Sequence, residues 1–136
     1  MQSNTQHITL DGHPRDVFAF LADPASLPRW AVGFCRAIHR GADGGWVVET
    51  ATGGIPIRYV TNAECGTIDF TMQVAPGVEA IAYSRVVANG DGAEYVFTQF
   101  QLPGMPDATF AQQVTALAEE LQVLRSIVRA RAACVA

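Results

Sequence analysis

The chain has 136 residues, about half of them apolar, and a net charge of −4. That length fits one domain over residues 1–136, able to bury roughly two-thirds of its unfolded surface without disulfides or metal. The nine basic residues are all arginine; the lack of lysine excludes Schiff-base chemistry and a lysine-bearing phosphate loop, and scattered arginines with a negative net sign argue against nucleic acid.

Cys35, Cys65 and Cys134 are odd in number and widely spaced. With no zinc or redox spacing among them, they read as reduced thiols of a cytoplasmic protein. The first residues, MQSNTQHITLDG, carry no signal pattern, and no apolar run approaches the roughly 20 residues of a membrane span.

In chain order, TQHITLD (Thr5 to Asp11) reads as a short strand ended by Gly12. Pro14 suits a first helical position, and PRDVFAFLAD places Val17, Phe18 and Leu21 on one helical face. Asp23 is a good cap for a second short helix beginning at Pro24, which Pro28 and Trp30 bring to an end. From Phe34 to Leu102, strand-like runs alternate with turn clusters. The runs are FCRAIHR, WVVETA, IPIRYVT, GTIDFTMQV, VEAIAYSRVVA and AEYVFTQFQL. Gly, Asn, Asp or Pro in every intervening cluster implies an antiparallel meander. After PGMPD a long helix runs from about Asp107 to Ala132. Phe110, Val114, Leu117, Leu121, Leu124 and Val128 recur at alternating spacings of four and three, one apolar stripe. Arg125, Arg129 and Arg131 lie near its C-terminal end, where the helix dipole favours cations. The sheet has one face to bury and the helix one stripe, so they must cover each other.

This order resembles the helix-grip fold of the START-like superfamily, also called SRPBCC. The resemblance covers essentially the whole chain. Its specific parts are PRDVFAFLADPASLPRW after a first strand, and RVVANGDGAEYVFTQFQLPGMPDATF running into a terminal helix. They look most like the bacterial branch named after polyketide cyclases and dehydratases. The resemblance implies an α+β architecture: a seven-stranded antiparallel curved sheet in the order β-α-α-β6-α, wrapped around the long C-terminal helix. It also implies a ligand cavity between helix and sheet. The superfamily hosts lipid carriers, cyclases and hormone receptors, so fold alone does not select a function. On this reading DPASLPRWAVGF is the cradle for the long helix and part of the cavity rim; the alternative is that Trp30 and Phe34 plug the end of an ordinary core.

Strand pairing follows from the turns. With NAEC as a loop, Thr61 lies opposite Gly66, Ile57 faces Phe70, Tyr59 faces Ile68, and Arg58 lies opposite Asp69 on the other face. The interior face then carries Ile68, Phe70, Met72, Val74, Ala80, Ala82, Ser84, Val86, Tyr95, Phe97 and Gln99. Ala80, Ala82 and Ser84 are small; set against Phe70, Phe97, Phe110 and Val114, they leave volume unfilled, a loss best tolerated where a ligand supplies the missing atoms. Across GADGG, Arg40 faces Trp46, and His39 lies diagonal to Glu49. Simple counting across TGG puts Glu49 on the interior side, and a bulge at Gly53–Gly54 reverses that.

No G-x-S-x-G, H-E-x-x-H, G-x-G-x-x-G or paired C-x-x-C is present, and His7, His13 and His39 are far apart, so neither a metal nor a cofactor is expected. His39 with Glu49 is the best acid/base candidate, weighed against a cross-strand surface pair. Tyr59 and Tyr95, placed indoors, are further proton handlers whose hydroxyls need partners. Arg58, Asp69 and Arg85 are expected to form an exterior ladder of small energetic value. Ile81, Tyr83, Val96 and Phe100 on the far face suggest a homodimer contact.

Three functions remain open. The first is a binding module for a small hydrophobic molecule, aromatic, polyketide or acyl-like. Its expected lining is Trp30, Phe34, Tyr59, Phe70, Met72, Ala82, Ser84, Tyr95, Phe97, Phe110, Val114 and Leu117. The second is a cyclase- or dehydratase-type enzyme using the same cavity, with His39, Glu49, Tyr59 or Tyr95 handling protons. The third is a dimeric structural protein with a filled core.

Overall fold

A computed structural model describes residues 1–135. Strand β1 (Ser3–Leu10) leads into helix α1 (Pro14–Ala22), a 3₁₀ turn (Pro24–Ser26) and the single-turn helix α2 (Leu27–Trp30). Six strands follow: β2 (Ala37–Arg40), β3 (Trp46–Thr50), β4 (Gly53–Asn62), β5 (Thr67–Ala75), β6 (Val78–Asn89) and β7 (Gly92–Phe100). Helix α3 (Asp107–Val135) closes the chain. The seven strands form one antiparallel sheet in the order β1-β7-β6-β5-β4-β3-β2, so the first strand returns beside the last. This is the helix-grip fold. No helix among the described residues is long and apolar enough to cross a membrane.

Local chemistry sets the helical segments. His13 is extended and its side chain accepts a hydrogen bond from Arg15 N, with Pro14 as the first helical residue of α1. Asp23 repeats the device: its carboxylate accepts from Ala25 N, while its carbonyl accepts from both the backbone and the hydroxyl of Ser26. Pro28 does not end a helix. It sits in the first turn of α2, where its missing N–H costs nothing. In α1 the buried residues are Val17, Phe20 and Leu21; Phe18 is only half-buried. Phe20 is held between the guanidinium groups of Arg131, 4.8 Å from the ring centroid, and Arg29, 5.3 Å away.

The sheet corrects two expected registers and one strand boundary. In β4–β5, Ile57 pairs with Met72, Tyr59 with Phe70, Thr61 with Ile68 and Arg58 with Thr71, a slip of two residues from the expected pairing. The loop begins one residue later, because Asn62 extends the ladder and Gly66, at φ 74°, completes the turn. Gly66 is required there: a Cβ would lie 2.2 Å from the Val86 carbonyl oxygen. An even slip leaves both faces intact, so Ile68, Phe70 and Ala82 remain inside. In β3–β4, Gly53 and Gly54 are strand residues rather than loop, pairing with Thr50 and Glu49. This odd offset puts Val48 in the core, fully buried, and Glu49 on the opposite face. Finally, β2 begins at Ala37 because Phe34 and Cys35 donate their N–H groups to the Ala31 carbonyl and belong to the turn after α2.

The Arg58–Asp69–Arg85 ladder does not form. Asp69 faces Val60 and Tyr83, and Arg85 pairs with Thr67 while its Nε donates to the Cys65 carbonyl. The two-residue slip is the cause: it carries Arg58 past Asp69.

The core is dense where α1 and the C-terminal half of α3 meet the sheet: Leu10, Leu21, Val48, Ile68, Tyr95 and Leu124 are all at most 1% exposed. Its midline is a row of aromatic rings. Trp30 meets Tyr95 edge-on at 6.2 Å, Tyr95 meets Phe97 at 6.2 Å, Phe97 meets Phe70 at 5.9 Å, and Phe70 meets Tyr59 at 4.9 Å. Toward the other end of α3 the packing opens.

A cavity between the sheet and the C-terminal helix

The opening has a backbone origin. The β6–β7 ladder stops at Tyr83–Thr98, although β6 begins at Val78 and β7 runs to Phe100. Continued, it would pair Ile81 with Phe100 and Ala82 with Gln99. Instead β6 stays with β5, as in Met72–Ala80 and Phe70–Ala82, and β7 stays with β1, as in Ser3–Phe100 and Asn4–Gln99. The two strands part, and a cavity of about 650 Å³ lies behind the gap. All four residues of the missing pairs line it.

Its floor is the inner sheet face: Ile57, Phe70, Met72, Ala82 and Phe97. Its roof is α3, through Gln113, Ala116, Leu117 and Glu120. The inner end is the segment after α1, contributing Leu27, Trp30, Ala31, Gly33 and Phe34. The mouth is apolar as well, with Val74, Ile81, Tyr83, Phe100, Leu102 and Met105 around it, and Glu79 is its one acidic residue. Ile81, Tyr83 and Phe100 are 37%, 47% and 36% exposed, and the rings of Tyr83 and Phe100 meet edge-on at 6.1 Å across the gap.

Trp30, Phe34, Phe70, Met72, Ala82, Phe97 and Leu117 thus surround one space, and Trp30 and Phe34 border a void rather than plug it. Five other expected residues lie off the lining. Ser84 is buried in the sheet, where its hydroxyl donates to the Ile68 carbonyl at 2.6 Å. Phe110 and Val114 turn away because α3 lies along β1; Gln6 Nε2 donates to the Val114 carbonyl at 2.9 Å. The lining face of the helix is therefore Gln113, Ala116, Leu117 and Glu120, rotated from the apolar stripe. Tyr59 and Tyr95 sit behind the first layer of rings. Among the described residues neither hydroxyl has a hydrogen-bond partner, nor have the indole N–H of Trp30 and the Nε2 amide of Gln99; Ser84, beside Tyr95, gives its proton to the Ile68 carbonyl instead, and burial pushes both phenols well above their ordinary range.

His39 and Glu49 do pair, Nε2 to Oε1 at 2.7 Å. They do so on the exposed side of the sheet, with side chains 52% and 42% accessible, and neither reaches the cavity. The hydrogen bond to Glu49, helped by the Arg40 carbonyl, raises the imidazole above its ordinary 6.5.

Glu120 is the polar group that sequence reading missed. It is 6% exposed and borders the cavity. Its Oε2 accepts from Gly33 N at 3.0 Å and Phe34 N at 3.1 Å, tying α3 to the cradle. Burial pushes the carboxyl up to about 7, against the two amides, which hold it down. The clue was its spacing: Gln113, Leu117, Glu120 and Leu124 recur at four, three and four, a second stripe beside the apolar one. Next to Glu119 it passes for one of two surface acids. Cys35, against the same segment, has its thiol pushed up to about 11 by burial, the carbonyl of Ala37 opposing.

No family model matches the chain, and no curated protein does. Solved structures do, across nearly its whole length. XoxI from Bacillus cereus superposes with a TM-score of 0.74 at 14% identity, covering 94% of this chain and 96% of its own. The Aha1 dimer from Colwellia psychrerythraea gives 0.73 at 16% identity, covering 94% and 96%. The di-domain ARO/CYC BexL from the BE-7585A biosynthetic pathway gives 0.72 at 15% identity; the match covers 93% of this chain and 46% of that one. At these identities the likeness is one of fold.

Proposed function

We propose that this chain is a ligand-binding domain of the START-like superfamily, holding a small hydrophobic molecule between the sheet and α3. The observation that carries this reading is the cavity of about 650 Å³ behind the parted strands. It lies within the roughly 300–1,000 Å³ of small-molecule sites, and its walls are aromatic and aliphatic with few polar groups, the pattern such sites share. Ala80 and Ala82 keep that space open where larger side chains would close it. An unfilled void forfeits dispersion contacts, and a bound molecule restores them. The similarity in fold to an ARO/CYC protein keeps an aromatic or polyketide-like ligand foremost. The apolar rim at Ile81, Tyr83 and Phe100, together with the likeness to an Aha1 dimer, supports a homodimer across the mouth.

The test is mass spectrometry of the protein purified under native conditions, followed by thermal shift with whatever it carries and with rigid aromatic probes. Binding raises Tm, and the rise grows with the logarithm of ligand concentration once that exceeds Kd. Ala82→Leu, which places a larger side chain on the cavity floor, abolishes that rise while leaving the fold intact. A Tm that no aromatic or acyl probe moves, in wild type or variant, removes the proposal.

A further inference from the structure

The cavity's one buried ionisable group has a use that its apolar walls do not explain. Oε2 of Glu120 is taken by two backbone amides, which fix the orientation of the carboxylate. Oε1 has no hydrogen-bond partner among the described residues and keeps some accessible surface, and Glu120 borders the cavity. An acceptor held in place with one lone-pair site unused, in a space walled by hydrocarbon, is half of a recognition pair.

The missing half is a cation, and among the described residues no side chain on the lining supplies one. The described side chains that line the cavity include no arginine or histidine; the polar ones besides Glu120 are Glu79 and Tyr83 at the mouth, the neutral Gln99 and Gln113, and the Trp30 indole, whose N–H, like Gln99 Nε2, is a neutral donor left without a partner. The ionisable groups acting on Glu120 are its neighbour Glu119 and the Cys35 thiol, and neither is a cation. The α-amino group belongs to Met1, which is 89% exposed at the mouth. An ionised carboxylate buried without a counter-charge is costly, and a ligand bearing a positive charge or a strong donor relieves that cost. A ligand bearing a carboxylate adds a second like charge to it.

We propose that Glu120 is the polar anchor of the binding site, and that the cavity selects apolar molecules carrying a basic nitrogen over apolar carboxylates of the same shape. This rests on the ligand-binding reading above and narrows it: an amine-bearing hydrocarbon or aromatic ring enters, with its nitrogen toward Oε1, while a fatty-acid-like molecule is turned away. The two amides of Gly33 and Phe34 make Glu120 a fixed acceptor rather than a mobile one, so selection comes from position as well as charge.

The experiment uses three probes of one shape, 1-naphthylmethylamine, 1-naphthalenemethanol and 1-naphthoate, with affinities measured by calorimetry at pH 8.5 and pH 5.5. On wild type at pH 8.5 the amine binds at least tenfold tighter than the carboxylate, with the alcohol between. At pH 5.5, where Glu120 carries a proton and the amine is still charged, that preference shrinks. Glu120→Gln, which keeps an oxygen to accept from the Gly33 and Phe34 amides, removes the preference at both pH values. The wild-type pH series stands without the variant, so a misfolded Glu120→Gln does not rescue or sink the result. Equal affinities for amine and carboxylate, or a preference that ignores pH, overturn the role of Glu120 while leaving the cavity reading in place. Failure of all three probes to bind overturns the role of Glu120, and overturns the cavity reading as well if no aromatic or acyl probe raises Tm.

Discussion

The two halves of α3 face the same sheet and do different work. In the C-terminal half, Leu121, Leu124 and Val128 pack solidly against α1 and the strands. There is so little room that a Cβ on Gly12 would sit 2.8 Å from Val128 Cγ1. In the N-terminal half, Ala116, Leu117 and Glu120 border open space, and a Cβ on Gly33 would find its nearest neighbours, Ala116 Cβ and Glu120 Oε2, at 3.5 Å. Arg131, over Phe20, and Arg129, toward Asp11, also belong to the C-terminal half. One half supplies the stability that the other spends on a cavity.

The sharpest way to break this comparison is a pair of truncations. Leu124→Ala empties a fully buried site that cannot collapse and costs about 3 kcal/mol; Leu117→Ala enlarges a void that already exists and costs about 1 kcal/mol. Urea denaturation of the two variants measures both. Equal losses would mean that the helix is packed alike along its length.

Next in size is Glu120, a destabilising charge at the open end. Its carboxyl moves from an ordinary 4.5 to about 7 in the folded chain. A raised acid means that the folded state holds its proton longer than the unfolded one. The associated stability is therefore fully present below pH 4.5 and is lost as pH climbs through 7. That loss amounts to about 3 kcal/mol by pH 8.5. Glu120→Gln keeps the acceptor and removes the charge, so it matches wild type near pH 4 and exceeds it in stability at pH 8.5. Chemical denaturation at the two pH values reads the difference, and a gap that does not open with pH would place the carboxylate in water.

The closed end was the more legible half from sequence, for a physical reason. Alternation in a strand and four-three spacing in a helix report which residues point inward, and Ile68, Phe70, Tyr95, Leu121 and Leu124 follow those periods without exception. An even register slip in β4–β5 preserves the faces, so an error there did no harm. The odd slip at Gly53–Gly54 was not readable, because glycines serve as well in a strand as in a turn, and it decided where His39 and Glu49 went. The cavity mouth was invisible for another reason. It arises where β6 and β7 part company beyond Tyr83 and Thr98, an event of backbone pairing that leaves no mark on the pattern of side chains. Glu120 was hidden because acids on a long helix ordinarily face water.

The cysteines sharpen the comparison at the chemical level. Cys35 is 2% exposed with its thiol near 11, while Cys65 and Cys134 are exposed. Thiolate is the reacting species, so a rise of about two units from the ordinary 9.0 slows Cys35 roughly a hundredfold before access is considered. Titration with a disulfide reagent at pH 8 should show a fast phase from the two exposed thiols. Cys35 should follow only on unfolding, or when a ligand loosens the turn after α2.

The smallest expected effect belongs to the His39–Glu49 pair, and its smallness is informative. A histidine raised by a partner contributes stability that is complete below its ordinary 6.5 and fades as pH rises through the raised value. Both side chains stand in water, where the ion pair is screened and side-chain freedom offsets most of the gain. His39→Ala should therefore leave Tm within the scatter of ordinary surface substitutions, with whatever difference exists appearing at pH 5.5 rather than pH 8.5. Probe affinity should not change at either pH, because the pair lies across the sheet from the cavity. A loss of binding in His39→Ala would mean that the outer face of β2 and β3 is coupled to the cavity through the sheet.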